Sequence, residues 1–192
     1  MLSSKKRKLI AIGASTGGVE ALDKILSRFP AEMPPMVLVL HMQIGFTKLF
    51  AARLNKKLAI SVKEAQTGDL LLPGQLLVAP AGQHMIVVNR SGKMAVECYT
   101  GEKVQFVIPS ADVLFNSVAE VFRQDALGII LTGIGADGAS GLLKMRENGA
   151  LTIGQDQATC SIYGMPKVAY EMGAVEFQLP LDRIADKILT SL

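Results

Sequence analysis

The chain has few of the residues that crosslink proteins or bind transition metals. Its 192 residues include two cysteines, Cys98 and Cys160, and two histidines, His41 and His84. A disulfide-stapled fold needs more cysteines than this, and neither cysteine stands in the spacing of a metal-ligand pair. We therefore expect no disulfide framework and no metal site.

The sequence also lacks long apolar runs and strong charge. Its apolar runs are broken by glycine, proline or charge well before the roughly 20 residues of a membrane span. The net charge is +3, and 5% of the residues are aromatic. A nucleic-acid surface would need basic residues along one face, interleaved with aromatic residues. We predict a cytoplasmic protein that neither enters a membrane nor binds nucleic acid, with residues 1–7 as a linker-like basic tail and residues 8–192 as a single domain.

What the chain does contain is an alternation of strand-like apolar runs and helical patterns. Hydrophobic residues make up 49% of the sequence, which is enough for a substantial core. Alternating strands and helices are typical of βαβ units around a parallel sheet. The predicted fold is α/β: a doubly wound, mostly parallel, Rossmann-like sheet with helices on both faces. Its main strands are predicted at residues 8–13, 36–40, 127–131 and 151–154.

A hairpin signal interrupts this alternation. Asn89-Arg90-Ser91-Gly92 lies between alternating apolar segments, as expected for a tight turn between antiparallel strands. We interpret the apolar runs at 60–63, 75–79 and 85–97 as an antiparallel addition to the sheet. Pro109-Ser110 then predicts the start of a helix, with Ser110 as its N-cap.

Three residues with catalytic potential follow the predicted strands. Ser15 lies in a glycine turn after the first strand, His41 ends the second, and Asp137 follows the strand at 127–131. The carboxyl ends of parallel strands meet at one edge of a sheet, where active sites gather. A serine nucleophile needs a base, and that base needs an acid to orient it. We therefore predict a catalytic triad of Ser15, His41 and Asp137.

Two backbone groups are candidates for stabilising an oxyanion. The N–H of Thr16 follows the nucleophile at a helix N-terminus, and a second donor can come from the glycine-rich loop around Ile134. His84 is the alternative base, since it is the only other histidine. Its position relative to Ser15 does not follow from topology, so His41 is preferred.

Each of these residues also has a simpler interpretation. A serine in a glycine-rich strand-to-helix turn is often structural or phosphate-binding, and Asp137 before Gly138 is a common turn former. The first alternative function is therefore a nucleotide- or phosphate-binding module. The turn at 13–18 fits that function poorly. It lacks the Gly-Lys-Ser/Thr of a P-loop, and Ser15 occupies a position where a dinucleotide fingerprint needs glycine.

The motifs in this chain resemble those of a known family over almost its whole length. The matching segments are residues 12–18, 41–42, 45–47, 72–74, 78–80, 84–85, 109–115, 131–138 and 163–167. With these segments the chain resembles the catalytic domain of the CheB family of chemotaxis protein-glutamate methylesterases. It departs from the family pattern at Ile134 and Gln43, where methionine and proline are usual.

The resemblance implies a serine hydrolase that removes methyl esters from glutamyl side chains of chemoreceptors during adaptation, releases methanol, and deamidates certain receptor glutamines. It implies Ser15 as nucleophile, His41 as base and Asp137 as orienting acid, with Thr16 and Ile134 near the oxyanion and no cofactor. The implied partners are methylated chemoreceptors and a phosphorylatable receiver domain with its histidine kinase upstream. No receiver-like segment precedes residue 8, so we expect either a single-domain relative or a catalytic domain without its receiver. A catalytically idle adaptor that docks on receptors is the second alternative.

Overall fold

The computed structural model describes residues 7–192, so the predicted basic tail, apart from Arg7, lies outside the described residues. Within this range, nine strands are interspersed with six α-helices. The strands are β1 (Leu9–Ala14), β2 (Met36–Leu40), β3 (Ser61–Glu64), β4 (Gln75–Val78), β5 (His84–Arg90), β6 (Lys93–Tyr99), β7 (Ala126–Ile130), β8 (Leu151–Gln155) and β9 (Phe177–Leu179). The helices are α1 (Gly18–Leu26), α2 (Phe46–Lys57), α3 (Ala111–Val121), α4 (Ala139–Glu147), α5 (Met165–Glu171) and α6 (Leu181–Thr190).

Seven strands form one parallel sheet in the order β3-β4-β2-β1-β7-β8-β9. From β1 the chain first builds the sheet outward through β2, and later returns to place β7 on the other side of β1. The order therefore reverses between β1 and β7. In open α/β sheets, ligands bind at the carboxyl ends of the strands at such a reversal.

Apolar layers cover both faces of this sheet. Successive residues of a strand point to opposite faces. In β1, Ile10 and Ile12 pack with α1, α2 and α6, whereas Leu9 and Ala11 pack with α3, α4 and α5. Burial on both faces explains why every residue of β1 is buried and why the strand reads as a continuous apolar run. The predicted doubly wound α/β fold is confirmed.

In the middle of the chain the predicted hairpin is confirmed, but the two strands before it do not pair in the antiparallel way that was predicted. β5 and β6 pair antiparallel around the predicted turn, with Arg90 opposite Lys93. They form a separate two-stranded sheet that packs on α3, where the Val87 N–H donates to the Ser117 hydroxyl at 2.9 Å. β3 and β4, in contrast, join the main sheet as parallel strands. Runs of four or five residues carry too little pattern to distinguish the two kinds of pairing.

The helices are short, and the start of α3 is explained by its capping residue. Ser110 is the N-cap of α3, as predicted, and its hydroxyl accepts a hydrogen bond from the Val113 N–H at 3.4 Å. The longest helix in the described range, α2, has 12 residues. Within residues 7–192, no helix has the length and hydropathy needed to cross a membrane.

Candidate active site

The ends of three adjacent strands bring the predicted residues to one edge of the sheet. β1 pairs with β2 through Ala14 and Leu40, so Ser15 and His41 are the next residues on neighbouring strands. The His41 N–H donates to the Ala14 carbonyl oxygen at 3.1 Å and thereby extends this pairing. On the other side of β1, the Ser15 N–H donates to the Thr132 carbonyl oxygen at 3.0 Å. Ser15 therefore lies at the reversal of strand order, between the segments that carry His41 and Asp137.

His41 and Asp137 are in direct contact. Nε2 of His41 lies 2.9 Å from Oδ2 of Asp137. The Asp137 side chain is almost fully buried, whereas that of His41 is 14% exposed. A carboxylate can only accept hydrogen bonds, so Nε2 carries the hydrogen and Nδ1 is left with a lone pair. The imidazole thus has one nitrogen held by the acid and one free to accept a proton.

Asp137 is held as a carboxylate at the N-terminus of α3. Besides His41, its oxygens accept from the Ser110 hydroxyl at 2.5 Å, the Ala111 N–H at 2.6 Å and the Asp112 N–H at 3.1 Å. Burial by itself disfavours the charged form. The hydrogen bonds, led by that from His41, outweigh burial and hold the pKa of Asp137 below its usual value. The N-terminus of α3 also favours negative charge at this position.

A second buried carboxylate, Asp112, bonds the N-terminal turn of α4. It lies in the first turn of α3, and its Oδ1 accepts from the Gly141 N–H at the start of α4 at 2.7 Å. Asp137, just before α4, caps α3 in return. Burial, together with repulsion from Asp137, raises the pKa of Asp112 despite the hydrogen bond from Gly141. The two helix N-termini are therefore locked together by a reciprocal pair of carboxylates.

The turn that carries Ser15 is held mainly by backbone contacts. Gly17 has φ 80°, a left-handed conformation that favours glycine, and the Gly18 N–H donates to the Ser15 carbonyl oxygen at 2.8 Å. The Thr132 hydroxyl lies 3.0 Å from the Thr16 carbonyl oxygen and accepts from the Ile162 N–H at 2.9 Å. Thr132 thereby joins the Ser15 turn to the loop that contains Ile162.

Close packing also restricts the residue after Thr132. A Cβ added at Gly133 would lie 2.6 Å from the Cβ of Ser15 and 2.4 Å from Sδ of Met165. Real Cβ atoms do not approach so closely, so only glycine fits without displacing the Ser15 turn. The glycine-rich loop after β7 is therefore shaped by the need to pass directly beside Ser15.

His84, the alternative base, occupies a different environment. It is 2% exposed. Its Nε2 lies 2.8 Å from the Glu102 carbonyl oxygen, and its Nδ1 accepts from the Ser110 N–H at 3.2 Å. Both ring nitrogens are thus engaged with the backbone, which leaves no lone pair for a serine. His41 is the better candidate for a base.

The two oxyanion candidates lie on exposed turns beside these residues. Thr16 is exposed directly after Ser15, and Ile134 is 65% exposed in the loop between Thr132 and Asp137. A cleft of about 460 Å³ adjoins His41 and includes Ile44 and Phe106, two exposed apolar side chains. Exposed apolar side chains around a cleft often mark a surface that binds another molecule. The roles of Thr16 and Ile134 stay predictions.

Several residues that build this site were not predicted to do so. Ser110 was predicted only as a helix cap, and neither Asp112 nor Thr132 was predicted to take part. Contacts between residues 110–112 and 137–141 depend on how two helix ends face each other, and no local pattern carries that information. The one usable signal was Pro109-Ser110, which correctly marked the start of α3.

The three candidate residues of a serine hydrolase lie together at one edge of the sheet. Among residues 7–192, no group of three or more His, Cys, Asp and Glu side chains could hold a metal ion. A serine at a strand-to-helix turn, with a His–Asp pair beside it, is the arrangement in which a histidine can activate a hydroxyl. The fold is a doubly wound α/β domain, and its site holds the candidate residues of a serine hydrolase.

Comparisons with known proteins narrow this class to a family. The model of the CheB methylesterase family matches residues 10–188. A protein-glutamate methylesterase/protein-glutamine glutaminase of Syntrophotalea carbinolica is 50% identical over 191 residues, which are 100% of this chain and 54% of that protein. A protein of the same name from Agrobacterium fabrum is 53% identical over 95% of this chain and 52% of its own length. The chain belongs to the CheB methylesterase family.

A solved structure agrees with this assignment. The crystal structure of the Thermotoga maritima CheB methylesterase catalytic domain superposes with a TM-score of 0.94 at 34% identity, and covers 97% of this chain and 100% of the other. The chain spans about half the length of the curated relatives it matches.

Proposed function

We propose that this chain is a methylesterase domain that hydrolyses methyl esters on glutamyl side chains of a protein and releases methanol. The observation that carries the proposal is the 2.9 Å contact between His41 Nε2 and Asp137 Oδ2, made at the strand end next to Ser15. It supports a base that is oriented by a buried carboxylate beside a nucleophile. The names of the relatives support the choice of glutamyl esters and amides as substrates.

In the first half of the proposed reaction, the Ser15 hydroxyl oxygen attacks the γ-carbonyl carbon of the ester. Nδ1 of His41 accepts the hydroxyl proton, because Nε2 is held by Asp137. Asp137 stabilises the imidazolium that results. The oxyanion of the tetrahedral intermediate is stabilised by backbone N–H groups, with those of Thr16 and Ile134 as candidates. The C–O bond then breaks, and methanol leaves with the proton from His41.

In the second half, water hydrolyses the glutamyl ester on Ser15. His41 removes a proton from the water molecule and returns it to the Ser15 oxygen as the second tetrahedral intermediate collapses. The glutamic acid that is released ionises to a carboxylate. The same two steps applied to a glutamine release ammonia in place of methanol, which is the proposed glutaminase activity. Neither reaction requires an external oxidant, metal or organic cofactor.

The proposed setting is chemotaxis adaptation in the cytoplasm. The substrates are methylated chemoreceptors, and hydrolysis restores negative charge to them. A receiver domain phosphorylated by a histidine kinase is the proposed regulatory partner. The exposed apolar side chains at the cleft beside His41 support a protein-sized substrate surface more than an enclosed small-molecule pocket.

The test is methanol release from methylated receptor by the wild-type chain and by Ser15→Ala. The expected loss for Ser15→Ala is on the order of 10³-fold or more, because the nucleophile is removed. Ser27→Ala is the matched control, since Ser27 is an exposed serine at the end of α1 that bonds the Lys24 carbonyl oxygen. Wild-type turnover in Ser15→Ala would show that Ser15 is not the nucleophile.

The two alternative functions give different results in the same set of assays. A receptor-docking adaptor without activity predicts that the wild type binds receptor and releases no methanol. A nucleotide-binding module predicts that a nucleotide raises the melting temperature, since a ligand that binds the folded state stabilises it. We expect methanol release and no thermal shift with nucleotides.

A further inference from the structure

Asp137 is connected to a second histidine through a buried polar chain. Oδ1 of Asp137 accepts from the Ser110 hydroxyl at 2.5 Å, and the backbone N–H of Ser110 donates to Nδ1 of His84 at 3.2 Å. Nε2 of His84 in turn lies 2.8 Å from the Glu102 carbonyl oxygen. This series of hydrogen bonds therefore runs from the segment after β6, through His84 and Ser110, to the carboxylate that contacts His41.

The protonation state of His84 follows from its two partners. The Ser110 N–H can only donate and the Glu102 carbonyl can only accept. His84 must therefore be the neutral tautomer with its hydrogen on Nε2. In this form it accepts at one nitrogen and donates at the other. It ties the start of α3 to the segment after β6, so that the position of Ser110 does not depend on helix capping alone.

Ser110 does more than cap a helix. Its hydroxyl lies at 3.4 Å from the Val113 N–H, which is a long capping bond, and at 2.5 Å from Asp137, which is a short bond to a charged acceptor. Hydrogen bonds to charged groups are the stronger kind. Since Ser110 is completely buried, water cannot replace its hydroxyl without rearrangement. The hydroxyl is thus directed mainly at the carboxylate.

We propose that Ser110 and His84 are positioning residues of the hydrolase: His84 fixes Ser110, Ser110 fixes the Asp137 carboxylate, and the carboxylate orients His41. This proposal rests on the proposed function for its effect on turnover. Ser110 restricts rotation of the carboxylate, so that Oδ2 stays directed at His41 Nε2 while Oδ1 is held. Neither Ser110 nor His84 contacts the substrate in this proposal.

The first variants to test are Ser110→Ala and Ser117→Ala. Ser110 is the N-cap of α3 and Ser117 lies within the helix, so each variant removes one hydroxyl from the same element. The Ser117 hydroxyl bonds the Val87 N–H and the Leu114 carbonyl oxygen, whereas that of Ser110 bonds Asp137. Per folded molecule, Ser110→Ala should lower kcat about tenfold with little change in KM, since a hydrogen bond to a charged group is lost. Ser117→Ala should keep the wild-type kcat even where its melting temperature falls. Ser110→Thr, which retains the hydroxyl, should recover part of the loss.

The histidine is tested by a pair of substitutions that differ at the acceptor. Asn can place its Oδ1 near the position of the imidazole Nδ1, so His84→Asn keeps an acceptor for the Ser110 N–H, whereas His84→Leu does not. We expect His84→Leu to lower kcat by about the same tenfold as Ser110→Ala, because both act through one carboxylate. His84→Asn should lie closer to the wild type.

A spectroscopic readout separates this proposal from the proposed function. In chains with ¹⁵N-labelled histidine, the proton on His41 Nε2 that bonds Asp137 should give a downfield NMR signal in the wild type and Ser117→Ala. That signal should be shifted or broadened in Ser110→Ala and His84→Leu. An unchanged signal together with an unchanged kcat in these two variants would overturn the positioning role. An inactive wild type would contradict only the proposed function, since the NMR signal tests positioning without turnover.

Discussion

The two ends of the candidate triad are built in different ways. At the acid end, Asp137 is 2% exposed and accepts hydrogen bonds from four groups. At the nucleophile end, Ser15 is half-buried in a glycine turn whose contacts come mainly from the backbone. The Asp137 carboxylate is thus buried among hydrogen-bond donors, whereas Ser15 is partly accessible from outside.

The contrast fits the roles proposed for Ser15 and Asp137. A charge taken out of water must be compensated by hydrogen bonds, or the group becomes neutral and can no longer stabilise an imidazolium. A nucleophile that acts on another protein must instead be reachable from outside. We therefore expect changes at the acid end to act through charge and orientation, and changes at the nucleophile end to act through the shape of the turn.

The largest effect at the acid end is expected from Asp137→Asn. The amide keeps the shape of the side chain but places an N–H₂ where acceptors are needed, so His41 would adopt the wrong tautomer. We expect kcat to fall by roughly 10³-fold or more, as in other triads whose acid is replaced by its amide. Methanol release, corrected for the folded fraction, measures the effect. Asp186→Asn is the control, since Asp186 is an exposed aspartate paired with Arg28, and its activity should be unchanged.

A smaller effect is expected from Thr132→Val at the nucleophile end. Valine keeps the branched shape but removes the hydroxyl that contacts Thr16 and Ile162, so the Ile162 N–H loses its acceptor. We expect about 1–3 kcal/mol of destabilisation from the unpaired buried groups and a lower kcat from the loosened turn. Denaturant unfolding and methanol release measure the two effects. Thr132→Ser keeps the hydroxyl and should retain most of the wild-type stability and kcat. Equal losses in Thr132→Val and Thr132→Ser would argue against a role for the hydroxyl.

The smallest effect is expected from Asp112→Asn, which should leave the free energy of unfolding unchanged or raise it, whereas Thr132→Val should lower it. The pKa of Asp112 is raised in the folded state, so its ionisation opposes folding above that pKa, and the penalty disappears below the unfolded value of about 3.9. Asparagine can still accept from the Gly141 N–H. At pH 7 we expect the free energy of unfolding of Asp112→Asn to equal that of the wild type or to exceed it by up to about 1 kcal/mol. This advantage should shrink as the pH falls toward 4.

Ionisation of Asp137 has the opposite effect on the free energy of unfolding, and the same pH series measures it. Its pKa is lowered in the folded state, so its ionisation stabilises the fold above the unfolded pKa of about 3.9, and this contribution is lost as the pH falls through the folded value. Asp137→Asn should therefore lose stability at pH 7 and approach the wild type in acid. If both variants changed stability in the same direction at pH 7, the contrast between the two buried carboxylates would be wrong.

The sequence predicted the parts of this molecule that depend on local pattern. The buried strands β1, β2 and β7 stood out as apolar runs, and the positions of Ser15 and His41 followed from where two of those runs end. The hairpin followed from its turn residues, and the start of α3 from Pro109-Ser110. The pairing of β3 and β4 was not predictable, because short strands look alike in parallel and antiparallel sheets.

The parts that could not be predicted depend on contacts between distant segments. The hydrogen bond from Ser110 to Asp137 joins residues 27 positions apart, and it exists because the N-termini of α3 and α4 face each other. Thr132 contacts Thr16 across 116 positions. Nothing in the local sequence distinguishes these residues from an ordinary helix cap or strand-end threonine. His84 was a candidate base by elimination, and only its buried contacts assign it to a different place.

The central claim is that Ser15 forms a covalent intermediate with the glutamyl side chain, and trapping that intermediate tests it most directly. Wild-type chain mixed with a methylated receptor peptide would be quenched in acid within the first turnover and digested for mass spectrometry. The account predicts that the peptide containing Ser15 gains the mass of the glutamyl substrate less methanol, and that Ser15→Ala shows no adduct. Methanol release without an adduct on Ser15, or with the adduct on another residue, would contradict it.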